Sequence, residues 1–262
     1  DALPICQVCN ESGLNHYMGI AISAFVATII AWASTLLPAE WTSTPWHPLL
    51  ACALFIVPGV PLINFVDDML DNYIQVGIVR AVNTLLMVAA MAFGIAFAVK
   101  LCHIENFFPT ISMVPHHQYW EYAIAAAISA MGFSMIFNIQ RRLLWVVAIG
   151  GIIAVCTRNF VNLGPSTDNI GLDMGLVIGS FSGAVLVSLI AIKAVHWFHV
   201  PNHVLTIPSV IPMIPGVLMY RMLFGIININ VQSIDQVTPL MKAIESGVNS
   251  GLVIMCIALG VA

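Results

Sequence analysis

Charge is what this chain has least of. Its 262 residues carry eight Lys/Arg and twelve Asp/Glu, 8% in all, against roughly 25% in an average soluble domain. So few charges cannot cover a water-soluble fold of this length, which excludes a cytosolic enzyme. No basic face exists to grip a phosphate backbone, so a nucleic-acid binder is excluded too. Nor is there the polar, charged composition of a disordered regulator. The net charge of −4 selects no partner. What fills the chain instead is apolar: 60% is AVILMFWYC. The composition defines a polytopic membrane protein.

Cysteine is also scarce in any useful arrangement. Cys6-x-x-Cys9 has redox or metal spacing, yet no second pair or nearby histidine completes a site. Cys52, Cys102, Cys156 and Cys256 lie in or beside apolar runs, where a thiol behaves as a small hydrophobe. His196, His199 and His203 are spaced like ligands, but Pro201 interrupts any helix carrying them and no acid is near. No metal and no cofactor is expected. A signal peptide is missing, the chain opens on Asp1, and it stops inside an apolar run. It therefore reads as a fragment of a longer protein.

A helix needs about 20 residues to cross a bilayer. Apolar stretches predict eight spans, at 17–37, 49–66, 79–101, 121–139, 143–158, 170–194, 207–227 and 247–262. The fifth is short for a crossing, and the chain end truncates the last. Trp41, Trp46, Tyr119, Trp120, Trp145 and Trp197 fall near span ends, as an aromatic belt would. The basic pair Arg141-Arg142 places its link in the cytoplasm, and alternation then puts 1–16, 67–78 and 195–206 inside. Arg158 falls on the outer side, at an interface.

Two segments repeat. Ile56-Val57-Pro58-Gly59-Val60-Pro61-Leu62 resembles Met213-Ile214-Pro215-Gly216-Val217-Leu218-Met219. Four spans separate them, so they run in opposite directions, the mark of an inverted-topology repeat in secondary transporters. The expected division is 1–101 for the end of the first repeat, 102–120 for a linker and 121–262 for the second. Proline donates no N–H. Pro58 and Pro61 therefore leave the carbonyls of Leu54 and Val57 without helical partners, and Pro212 and Pro215 do so for Pro208 and Ile211. Two helices broken near mid-membrane are the expectation. Their half-helix ends and free carbonyls suit a small zwitterion or carboxylate. The predicted fold is all-α, a polytopic bundle with two inverted repeats, each holding a Pro-Gly-broken helix.

Few charges remain to do chemistry. Asn64 and Asp68 share a helix face just past Gly59, about 7–8 Å beyond it for Asn64. Asp71 reads as a solvated interface residue. Arg221 occupies the matching position after Gly216, among Leu218, Met219, Met222, Leu223 and Phe224. A cation there costs about 2.5–3.5 kcal/mol even on lenient insertion scales, and its natural partner is a carboxylate. Arg80 and Asn83 head the third span, and Asp173 begins the sixth as an interface residue. Gly171, Gly175, Gly179 and Gly183 recur every four residues, a stripe that lets a neighbouring helix approach.

These residues resemble the bacterial threonine/serine exporter family. The likeness rests on Pro58-Gly59…Asn64-x-x-x-Asp68, on Gly77-x-x-Arg80 and on Pro215-Gly216-Val217-Leu218-Met219-Tyr220-Arg221. It runs from about residue 17 to the end. The resemblance implies ten spans in two halves of five behind a cytoplasmic N-terminal domain, with this chain supplying the third span onward. It implies a multi-pass protein of the bacterial inner membrane, exporting threonine or serine by alternating access, coupled to a proton and without enzymatic activity. Pro58, Gly59, Asn64, Asp68, Arg80, Pro215, Gly216, Tyr220 and Arg221 are its implied binding residues. Its partners are then a small amino-acid substrate, the coupling proton and the bilayer; a homo-oligomer is left open. An arginine commonly precedes the motif aspartate, and here that position is Asp67, which implies an altered preference for substrate charge. Two other functions follow from the same residues. One is export of a C4-dicarboxylate such as succinate, against which the acidic run 67–71 counts. The other is an intramembrane aspartyl protease using Asp68 and Asp173, for which the Gly-x-Gly-Asp stretch is missing.

Overall fold

Apolar side chains cover the outside of these helices as well as the core, unlike a soluble bundle. The structure, a computed structural model, describes Gly13 and residues 15–34, 58–102, 118–165, 170–227 and 237–262. Among them the order is α1 (His16–Ser34), α2 (Gly59–Leu70), α3 (Ile74–Leu101), α4 (Tyr119–Ile136), α5 (Leu144–Asn162), α6 (Leu176–Phe198), α7 (Asn202–Val210), α8 (Gly216–Ile227) and α9 (Val237–Val261). No strand occurs among the described residues. On α6, Gly179, Ser180, Gly183, Ala184 and Ser188 are buried while Phe181, Leu186, Leu189, Ile190 and Ile192 are exposed. Such a face suits lipid, with small residues admitting neighbouring backbones.

Among the described residues five helical stretches are long and apolar enough to cross a bilayer: His16–Ala33, Ile74–Leu101, Arg141–Asn162, Leu176–Phe198 and Leu240–Val261. Two expectations are corrected here. The fifth span reaches Asn162, because the polar Thr157-Arg158-Asn159 step continues the helix instead of ending it. The last covers 22 residues and is not short. The predicted 121–139 span appears as α4, whose polar Tyr119-Trp120-Glu121 start dilutes its hydropathy. Of 49–66, the residues before Pro58, including Leu54 and Val57, lie outside the described residues, as do Cys6, Cys9, Cys52, Trp41 and Trp46.

The chain divides into two compact units and changes unit at both Pro-Gly pairs. Asp1–Pro58, Ala81–Met113 and Gly216–Val248 form the first; Gly59–Arg80, Val114–Pro215 and Asn249–Ala262 form the second. In the first, α1 lies on α3, with Phe25 and Phe97 ring centroids 5.4 Å apart. A Cβ on Gly94 would fall 2.2 Å from the Ala21 carbonyl oxygen, so only glycine permits this approach. The Tyr17 hydroxyl donates to Asn83 Oδ1 at 2.6 Å.

In the second unit α5 is the centre, touching α4, α6 and α7. Ala130, Leu143, Val147, Ala191 and Leu205 form a buried cluster where these helices meet. Trp145 and Phe198 stack edge to face at 5.7 Å beside it. The glycine stripe expected along the sixth span is half as long as predicted. Gly171 and Gly175 precede α6, and Gly175, at φ +89°, begins it in a conformation that disfavours side chains. Gly179 and Gly183 do pack against α5: a Cβ on either would meet the Arg158 or Ala154 carbonyl oxygen at 2.7 or 2.6 Å. Asp173 sits in the preceding loop, not in a span. Pro201 does interrupt the histidine run, but only His199, which ends α6 in the left-handed region, is outside a helix: His196 lies in α6 and His203 in α7.

Candidate functional site

The second Pro-Gly segment breaks its helix. Pro208 sits inside α7, Ile211–Met213 tighten into a 3-10 turn, Ile214 is extended at ψ 128°, and α8 starts at Gly216. Extension just before Pro215 is what the proline ring demands. One detail differs from expectation: the Ile211 carbonyl is not free, because the Ile214 N–H donates to it at 3.0 Å. The 3-10 turn closes that gap. At the first Pro-Gly, α2 begins at Gly59 directly after Pro58. Pro61 costs nothing there, since the first-turn N–H groups have no helical acceptor.

The breaks meet. Gly59 faces Ile214 and Ile211; a Cβ on it would lie 2.7 Å from Ile214 Cδ1. Eight residues further along α2, Asp67 feels the charge of His203 near the start of α7. Residue 59 thus lies at the level of 211–214 and residue 67 at that of 203, so α2 runs antiparallel to α7.

Local chemistry then folds α3 back on α2. Asn72 takes the left-handed conformation, φ 67°, and the N–H groups of Asp71, Asn72 and Tyr73 donate to Asp67, Met69 and Asp68 carbonyls. This is a left-handed helix cap, for which Asn is a common choice after glycine. Ile74 starts the next helix, and Gly77 makes the contact possible: a Cβ on it would fall 2.5 Å from Met69 Cγ and 2.9 Å from the Phe65 carbonyl oxygen. One turn later Arg80 Nη1 stands 2.7 Å from Asp68 Oδ2. The Asp68 side chain is 21% exposed and that of Arg80 50%. Oδ2 has no aligned hydrogen bond, so charge rather than a directed bond holds the pair. Beside it, burial pushes the Asp67 carboxyl above the ordinary carboxylate range; His203 opposes this, and Asp71 and Asp68 reinforce it.

Of the residues read from the sequence, the structure brings Asp68 and Arg80 together, sets Asn64 one turn before Asp68 on half-buried α2, and places Gly59 against the residue preceding Pro215. Arg221 is half-buried on α8, in the first unit. Tyr220 lies on the same helix, its side chain outside the described residues. Sequence reasoning missed Arg158. It was assigned to an interface, yet it is partly buried on α5, and its Nη1 donates to the Met213 carbonyl at 3.4 Å, at the second break. The signal was present in its neighbour Asn159, a second polar residue in an apolar run.

Apolar crossing helices with small residues at their contacts, and a few polar residues near the Pro-Gly segments, define a multi-pass membrane protein. Comparison with known proteins gives it a family. A family model described as threonine/serine exporter, ThrE, matches residues 122–262, and a second threonine/serine exporter model matches 3–102. This chain belongs to the threonine/serine exporter family. That family is one of transporters, not of enzymes. Over 100 residues it is 34% identical to the probable succinate transporter subunit YjjP of Klebsiella aerogenes, covering 38% of each chain. It is 32% identical over 100 residues to the protein of the same name in Escherichia coli K12, covering 38% of this chain and 39% of that one. The chain thus spans about two fifths of the length of these curated relatives. No solved structure matches.

Proposed function

We propose that this chain carries the core of a secondary exporter of small hydroxy amino acids, threonine or serine, coupled to the proton gradient. The observation that carries this reading is the Asp68–Arg80 pair, 2.7 Å apart. A carboxylate held by charge alone can exchange its arginine for a substrate ammonium or for a proton. Asn64, one turn away, supplies an amide to the same face. On the second copy, the cation Arg221 of α8 is a second residue that transport would need. The two Pro-Gly pairs, where the chain changes unit, are the natural hinges if the halves are inverted repeats that rock to alternate access.

The test is threonine efflux from cells loaded with a threonine-containing dipeptide and expressing the full-length protein. Asp68→Asn combined with Arg221→Ala should abolish efflux while expression persists. Unchanged efflux in that double variant would overturn the site, and no efflux from the unaltered protein would overturn the cargo.

A second reading has its own support. It is export of a C4-dicarboxylate such as succinate, since both relatives above are named as probable succinate transporter subunits. Competition between threonine and succinate for binding separates the two.

A further inference from the structure

Arg158 is a guanidinium in an apolar helix that no carboxylate neutralises among the described residues. Its Nε and Nη2 both donate to Oδ1 of the adjacent Asn159 at 3.3 Å, and Nη1 to the Met213 carbonyl at 3.4 Å. All three exceed the usual 2.7–3.2 Å range, and all the acceptors are neutral. They orient the group without balancing its charge. Tyr122 of α4 lies near enough to feel that charge.

The surroundings fix where this cation stands. Met213 ends the 3-10 turn just ahead of Pro215, and its sulfur fills the space over Gly183, 3.0 Å from where a Cβ would be. Gly179 lets α6 close on the Arg158 carbonyl itself. The helix carrying the cation is thereby pressed against the second break. Protein atoms surround the guanidinium, while the residue as a whole is only partly buried. A guanidinium has five N–H donors; one on each terminal nitrogen remains unused, the pair that a carboxylate takes bidentately.

We infer that Arg158 anchors a carboxylate of the transported substrate at the second Pro-Gly break. The inference rests on the transport reading given above and names the chemical group recognised at that site. The carboxylate replaces no protein partner; it supplies the missing countercharge. Arg158 becomes the cation that a ligand should satisfy, and a ligand without the carboxylate binds more weakly because the charge then stays unpaired.

The experiment uses the full-length protein in nanodiscs, with L-threonine, succinate and L-threoninamide, which lacks the carboxylate. Phenylglyoxal labelling of each arginine is followed by peptide mass spectrometry. Threonine or succinate should slow labelling of Arg158 about tenfold, while threoninamide leaves it unchanged and none of the three alters Arg141 or Arg142. In binding assays Arg158→Gln should lose about 10–100-fold in affinity for the carboxylate ligand, Arg158→Lys should recover part of it, and neither should change threoninamide binding. The inference falls if neither acid protects Arg158, or if folded Arg158→Gln binds the acid as well as the unaltered protein. Protection without threonine or succinate efflux would overturn the export reading and leave the anchor standing. Efflux with full carboxylate affinity in Arg158→Gln would do the opposite.

Discussion

Arg80 reaches Asp68 because Gly77 lets two helices touch. The 2.7 Å ion pair lies one turn from a glycine whose missing side chain is replaced by Met69 and the Phe65 carbonyl. A charge contact and a packing contact are therefore one structural feature. Gly77→Val should separate α2 from α3 and mimic Arg80→Gln in efflux, each reducing it at least about tenfold. Efflux by Gly77→Val at the unaltered rate would show that the pair is dispensable.

With half of the Arg80 side chain exposed, the pair contributes at most about 1 kcal/mol to stability. Asp68→Asn should thus lower transport far more than it lowers the midpoint of thermal unfolding in detergent. The exchanged pair, Asp68→Arg with Arg80→Asp, should regain any lost stability and none of the transport. Recovery of efflux in the exchanged pair would reduce Asp68 to a structural role.

Gly59 and Ile214 join the two Pro-Gly segments. Gly59→Val would drive its side chain into Ile214 Cδ1, already 2.7 Å from an ideal Cβ, at a cost of about 1–3 kcal/mol for overpacking. Ile214→Ala in the same molecule should restore much of the loss, since the obstruction is the far end of a side chain. A double-mutant cycle on efflux and on unfolding checks this; strictly additive effects would deny the contact.

Gly183 offers no such escape, because the nearest atom to its would-be Cβ is the Ala154 carbonyl oxygen at 2.6 Å. Gly183→Ala should destabilise the protein by about 1–3 kcal/mol, and no single partner substitution should rescue it. Size-exclusion profiles after heating report the outcome.

Asp67 lies beyond the apolar run ending at Val66, and its carboxyl is raised by burial. A raised acid favours the native state fully below its unfolded value, 3.8, and loses that contribution as pH climbs through the folded value. At neutral pH the charged form therefore costs stability. Asp67→Asn should raise the unfolding midpoint there by about 1–2 °C, a small gain suited to a partly exposed group, and the gain should vanish in acid. A gain that persists unchanged at low pH would assign it to something other than charge.

Periodicity and apolar length disclosed the crossing helices, and proline chemistry disclosed the break at 211–215. Those signals are local, so a single sequence carries them. Pairings that depend on which glycine faces which helix were harder to read. The four-residue glycine stripe promised one continuous surface, and Gly171 and Gly175 proved to belong to a loop because a left-handed residue at 175 starts the helix later. Arg158 was assigned to an interface for the opposite reason: a charge near a predicted span end looks like a boundary, and only the packing of α5 against Met213 shows the helix continuing past it. The Asp68–Arg80 contact required a tight turn at Asn72, a residue whose left-handed preference is visible in sequence but whose consequence is tertiary.

The length of α3 carries one more implication. Twenty-eight residues span about 42 Å at 1.5 Å each, while the hydrocarbon layer is about 30 Å thick. Arg80 and Lys100, twenty residues apart on this helix, match that thickness at about 30 Å. Two such charges would hold α3 at a set depth, with Asp68 paired to one of them. Bilayer thickness would then govern the carboxylate's access to water, and efflux is expected to change with acyl-chain length.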